Sequence, residues 1–408
     1  MTGPSMPMGL DSRRWPAHPS SASQQPQWQQ HRNYHRACAL LASSPALVTV
    51  RELSELRSAL ATVAAGDAQV LQAGDCAESF LEIDKEHIDA KLAVLHSLAD
   101  QLAAGTAQEV LRVGRLGGQF AKPRTSAVEQ VAGIPLSVFR GHMVNSEEPS
   151  PDARVHDPRR MITAYGASAK VLGHLRADRA DRAARVASTG RSLIAGPWSS
   201  HDALVMDYEA NLVRSEQDTV FLGSTHLPWI GDRTRQPDAV HVQLLAAVAN
   251  PVALKVGPSI TNADLSQLCA RLDPDRIPGR LILIVRLGKK AIAERLPSIV
   301  ATVRSGGHPV IWLSDPMHGN TLRAANGLKT RLLADITDEA VEFQRILRRG
   351  GAHPGGLHLE VAADDVTECL GGMVRDMDHL SARYLTLCDP RLNPDQAAQL
   401  LHCWCLGI

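Results

Sequence analysis

Eight short apolar runs, most with a segment of helical period behind them, constrain this chain more than any other feature. They fall at residues 70–74, 109–115, 191–196, 219–225, 251–257, 280–288, 309–316 and 355–361. Helical stretches such as "IDKEHIDAKLAVLHSLADQLAAG", "RQPDAVHVQLLAAVA" and "NADLSQLCARL" separate them. A helical crossover returns the chain to the end of the sheet where the strand began, so successive strands pair in parallel. Eight such units predict an α/β fold closed as a (β/α)8 TIM barrel, with an open doubly wound sheet as the competitor. Residues 1–30 show neither helical nor strand period and read as an N-terminal extension, a flexible or partner-clasping arm on which Trp15 and Trp28 hint at docking. Residues 31–408 form the barrel domain in this reading.

Composition excludes several classes. Lys plus Arg equals Asp plus Glu, 43 each, and a nucleic-acid binder usually carries a basic excess. No window approaches about 18 uninterrupted apolar residues, so no membrane span is expected. The polar N-terminus lacks the apolar core of a secretory signal. The 7 cysteines are scattered without a CxxC pair, which fits a reducing cytoplasm. The Arg-rich stretch 176–191 reads as a solvated helix face, with Asp178–Arg182 and Asp181–Arg185 as i,i+4 pairs.

Chemistry in a parallel barrel sits where the strands end. The first run ends at Asp75 and Cys76, the second at Arg115. His226, Trp229, Asp232 and Arg233 follow the fourth run; Lys255 lies in the fifth and Arg286 in the sixth. The seventh ends at Asp315 with His318 three residues on, and the eighth carries His358 and Glu360. In "VALKVG", Val252, Leu254 and Val256 share the face that meets helices, so Lys255 faces the barrel interior. A buried ammonium is costly without a compensating anion. Lys255, Arg286 and Arg115 around one mouth therefore point to a phosphorylated substrate, although structural ion pairs would also account for them. "RVGRLGGQFAKPRT" adds Lys122 and Arg124, with glycines that let backbone amides approach an anion; it is not a dinucleotide fingerprint.

Cys76, His318 and Glu360 offer sulfur, nitrogen and oxygen at three strand ends, a mixed set suited to Mn²⁺, Fe²⁺, Co²⁺ or Zn²⁺. A lone cysteine in such a position is more often packing than ligand.

"QAGDCAE", "RVGRLGGQFAKPRT", "WIGDRTRQ", "NPVALKVGPSIT", "SDPMHGNT", "HPGGLHLEV", "TECLGG" and "CDPRLN" occur in this order, and together they resemble the type II 3-deoxy-D-arabino-heptulosonate 7-phosphate (DAHP) synthases. The resemblance runs from about residue 30 to the C-terminus. It implies metal-dependent condensation of phosphoenolpyruvate with erythrose 4-phosphate, the first step of the shikimate pathway, in a homo-oligomer (dimer or tetramer). It implies Cys76, His318, Glu360 and Asp389 as ligands of a divalent metal, Mn²⁺ or Co²⁺ before Fe²⁺ or Zn²⁺. Phosphoenolpyruvate falls to Arg115, Lys255 and Arg286 with Asp232 and Arg233, and erythrose 4-phosphate to Lys122, Arg124 and Thr125. Lys255 is then the candidate proton donor, with Cys76 and His318 acting through the metal. Asp232 and Thr125 stand where the family usually has Glu and Ser.

Between about residues 175 and 192 the chain is shorter than the long members, whose extra helices there are linked to aromatic amino-acid feedback. That implies weak or absent feedback and kinship with members serving secondary pathways such as phenazine synthesis. Two alternatives stand beside this reading: a synthase using an amino analogue of erythrose 4-phosphate, and a non-catalytic scaffold or regulatory homologue.

Overall fold

Strand register puts the barrel together in chain order. The computed structural model describes residues 22–131, 133–187 and 196–407. Eight parallel strands close on themselves: β1 (Ala68–Gly74), β2 (Glu109–Arg115), β3 (Trp198–Asp202), β4 (Leu227–Ile230), β5 (Val252–Val256), β6 (Leu281–Val285), β7 (Ile311–Ser314) and β8 (Pro354–Glu360). Gly74 pairs with both Arg115 and Glu360, so those two side chains leave the barrel at one level.

Alternation divides the strand residues between two apolar layers. Leu71, Val252, Leu254, Val256 and Leu283 pack outward against helix residues such as Leu95, Leu268, Ile299 and Phe343. Val70, Leu111, Trp198, Ala253, Ile284 and Leu313 pack inward. Leu56, Leu60 and Val63, from the helix Val50–Ala65, join that inner cluster and fill one end of the barrel. Each such leucine contributes about 1.5–3 kcal/mol by leaving water. With the inner face apolar below, the last inward positions, Arg115, Lys255, Arg286, Asp315 and Glu360, meet at the opposite, C-terminal end. No helix among the described residues is long and apolar enough to cross a membrane.

Three expectations are corrected. The run 219–225 is not a barrel strand: Thr219–Leu222 pairs antiparallel with Val213–Glu216, and β4 follows it. The run 191–196 falls almost wholly outside the described residues, and the third strand is Trp198–Asp202. The Arg-rich stretch is not simply a solvated face. Arg176 and Arg179 both clamp the buried carboxylate of Glu52, and Asp178 binds His96 at 2.9 Å. Glu52 in turn caps its own helix through Thr49, so the long helix Arg159–Ala187 is tied to the helix that closes the barrel.

Of the residues assigned to the N-terminal arm, 22–30 lie against the barrel domain. Trp28 is 2% exposed and its indole donates to Asp207 at 2.8 Å. Residues 1–21 lie outside the described residues.

Candidate active site

The C-terminal mouth holds a cleft of about 190 Å³ lined by Arg115, Lys122, Asp232, Arg233, Lys255, Arg286, His318 and Asp389, together with Gln119, Asp202 and Trp229. Parity explains the membership. Arg115 continues the inward series Leu111 and Val113, and Glu360 follows His358 on the inner face of β8.

A histidine and two carboxylates hold the cations beneath the cleft; Arg115 donates to Glu360 Oε1 at 3.0 Å. His358 has its Nδ1 2.7 Å from Gln72 Oε1, and its Nε2 faces both Arg115 Nη1 (2.6 Å) and Lys255 Nζ (3.0 Å). With Nδ1 protonated toward Gln72, Nε2 accepts from the two cations. Burial, then Lys255 and Arg115, keep this imidazole neutral far below the usual histidine range. Trp229 lies under the same pair, with the Arg115 guanidinium 5.1 Å and Lys255 Nζ 5.9 Å from its ring centre. Lys255 donates to Asp315 Oδ2 at 2.7 Å. Burial pulls its ammonium down to about 8, opposed by Asp315 and helped by Arg115. Burial likewise lifts the Asp202 carboxyl to about 6, against the pull of Lys255 and Lys122. Five cations and the buried carboxyl of Asp202 thus line one cavity.

Beside them lies a group of donor atoms, with His318 Nδ1 3.4 Å from Lys255 Nζ. One ligand atom each from His318, Glu360 and Asp389 falls within 4.8 Å of the others. His318 is aimed by Asp315, whose carboxylate binds Nδ1 at 2.8 Å and leaves Nε2 3.0 Å from Glu360 Oε1. A carboxylate that fixes the far nitrogen is the usual support of a metal-bound imidazole. Cys76 is not one of those three atoms but adjoins them: its Sγ accepts from the Asp389 backbone N–H at 3.2 Å. Burial would raise this thiol; the Cys388 hydrogen bond and the Lys122 ammonium outweigh it and bring the thiol down to about 7. A partly ionised thiol, an aimed imidazole and two carboxylates fit a borderline divalent cation.

Lys122 sits in this donor group rather than at the rim with Arg124 and Thr125. Its Nζ is 3.0 Å from Glu360 Oε1 and 3.3 Å from Asp389 Oδ2. Arg124 reaches Cys388 and Glu129, and exposed Thr125 accepts from Arg233 at 2.8 Å. Asp232 binds cations: Arg286 at 2.9 Å and Arg235 at 2.8 Å. The amides of the glycine-rich loop are already taken, since Glu78 accepts from Gly117, Gly118 and Gln119 at 2.7–2.9 Å. The anion that this loop cradles is the chain's own.

Some residues of the site lay beyond the sequence reading. Arg331, 2.9 Å from Glu360 Oε2, and Lys329, 2.8 Å from Asp389 Oδ1, come from a loop with no periodic signal.

A closed parallel barrel with cations and metal-type donors gathered at its C-terminal mouth defines a (β/α)8-barrel enzyme acting on anionic substrates. The comparisons narrow this: the chain belongs to the class-II DAHP synthetase family, which it matches over residues 11–193 and 188–403. It is 46% identical over 385 residues to a probable phospho-2-dehydro-3-deoxyheptonate aldolase of Pseudomonas fluorescens, covering 94% of each chain. It is 38% identical over 420 residues to the phospho-2-dehydro-3-deoxyheptonate aldolase of Streptomyces coelicolor, covering 93% of each. The solved structure of the Francisella tularensis phospho-2-dehydro-3-deoxyheptonate aldolase shares the fold, with a TM-score of 0.53 at 13% identity, over 91% of this chain and 96% of that one.

Proposed function

We propose that this protein condenses phosphoenolpyruvate with D-erythrose 4-phosphate and water to give DAHP and phosphate. The observation that carries this reading is the cleft itself: Arg115, Lys255 and Arg286 line it together with the donor residues His318 and Asp389. Arg115, Lys255, Arg286 and Arg233 neutralise the phosphate and carboxylate of phosphoenolpyruvate, with Asp232 holding Arg286 in place. Arg124 and Thr125 receive the phosphate of the four-carbon aldehyde, and Lys122 adds its charge from beside Glu360 and Asp389. A divalent cation held by Cys76, His318, Glu360 and Asp389 would supply Lewis-acid polarisation of the aldehyde carbonyl.

Atoms balance as follows. C3 of phosphoenolpyruvate bonds to the aldehyde carbon, whose oxygen takes a proton to become a hydroxyl. Lys255 is the donor, because its buried ammonium gives up a proton more readily than an exposed one. The oxygen of water bonds to C2 and loses both protons, one restoring the Lys255 ammonium and one leaving with phosphate, as the C2–O bond to phosphate breaks and C2 becomes a ketone carbon. The cleft at the mouth brings both substrates together for this encounter.

Phosphate release from the two substrates tests the reading. Activity should vanish with a chelator and return with Mn²⁺ or Co²⁺. No release with any divalent metal would favour a scaffold role, and release only with the amino analogue of the aldehyde would move the assignment to that variant.

A further inference from the structure

The segment that precedes the barrel is bonded to the loop that carries Arg124. Gln24 Oε1 accepts from the Arg124 backbone N–H at 2.9 Å, and the Gln24 carbonyl accepts from the Arg140 guanidinium. The Arg140 carbonyl in turn accepts from the Lys122 N–H at 2.9 Å. Without Gln24, the Arg124 amide has no other partner among the described residues. Pro123 beside it has no N–H to give.

The far side of the segment is held firmly. Gln25 donates to Leu204 O at 2.9 Å and accepts from Met206 N at 2.8 Å. Trp28 and Tyr34 each bind one oxygen of Asp207 at 2.8 Å. Residues 24–28 therefore bridge the loops that follow β2 and β3. Gln24 itself sits at a φ of +62°, a left-handed conformation that a non-glycine residue keeps only when its surroundings hold it there.

We infer that Gln24 is a positioning residue. It fixes the backbone of Arg124, and through it the side chains of Arg124 and Thr125, for the phosphate of the aldehyde substrate. This rests on the proposed assignment of that phosphate to Arg124 and Thr125. Gln24 does not line the cleft, and its effect is confined to one of the two substrates.

The test compares the full-length protein with Gln24→Ala in two measurements. In hydrogen exchange, the peptide covering residues 121–127 is protected in the parent and exchanges faster in the variant; Gln24→Glu, which keeps an accepting oxygen, retains protection. In steady-state kinetics, the KM for erythrose 4-phosphate rises about 3- to 10-fold, the equivalent of one net neutral hydrogen bond. The kcat and the KM for phosphoenolpyruvate stay within about twofold. Unchanged exchange at 121–127, an unchanged KM for the aldehyde, or an equal loss for both substrates overturns the inference. If the parent does not turn over these substrates, the functional reading falls, and the exchange measurement still decides whether Gln24 holds the loop.

Discussion

Replacing Lys255 with Met should separate chemistry from folding. The ammonium lies 2.7 Å from Asp315 Oδ2 and 3.0 Å from His358 Nε2. Neither partner is orphaned by its loss. Asp315 keeps His318 Nδ1 at 2.8 Å and the backbone amides of Met317 and His318, both at 3.2 Å, and His358 keeps Arg115 at 2.6 Å. Met fills much of the space of the lysine stem, and one buried ammonium no longer needs compensation. The net stability change should stay within about 1–3 kcal/mol. Turnover should fall roughly 10³-fold, about 4 kcal/mol of lost transition-state stabilisation, since both proton donation and an anion contact disappear. Phosphate-release kinetics and a thermal melt on one preparation measure the two quantities. A variant that melts normally yet keeps more than about a tenth of parental kcat would remove Lys255 from the proton-donor role. One that fails to fold would show that the lysine is structural.

Other outcomes follow from the same contacts. Asp232→Ala frees Arg286 and should raise the KM for phosphoenolpyruvate about tenfold, roughly 1.4 kcal/mol, whereas Asp232→Glu should retain most activity in the same assay. His241 is buried and kept neutral, its pKa brought down by burial from 6.5 to about 4 against the pull of Leu204 O. The unfolded chain binds more protons than the folded one between those values, so His241 should cost about 3 kcal/mol of stability as pH falls from 6.5 to 4. Denaturant melts across that window should show a shallower loss for His241→Gln. Trp, Phe and Tyr at saturating concentration should leave the steady-state rate unchanged; strong inhibition by any of them would contradict the expectation of weak feedback.

The fold was legible where strands are apolar on both faces. β5 and β6 read as unbroken runs, and their inward cations stood out because nothing polar neighboured them. β3 was illegible for the opposite reason. Its sequence, Trp198–Ser199–Ser200–His201–Asp202, is mostly polar yet wholly buried. Three of its polar side chains find partners inside: Ser200 on Gly114 O, Ser199 on His226 and His201 Nε2 on Glu209. β4 was hidden by Pro228, a residue that argues against a strand, and by the more strand-like Thr219–Leu222 just before it. Propensity says that such a run is extended, not which sheet it joins. In the site, residues at strand ends were legible by parity. Asp389 emerged only from the resemblance, because its loop has no period, and Gln24 gave no signal because its role depends on a contact 100 residues away.

Cobalt titration of metal-free protein tests the central claim most directly. If Cys76, His318, Glu360 and Asp389 gather around one cation, a single equivalent of Co²⁺ should produce a thiolate-to-cobalt charge-transfer band that grows in step with phosphate release, and Cys76→Ser should lose the band. Full activity without bound metal, or a cobalt spectrum that ignores Cys76, would contradict the account.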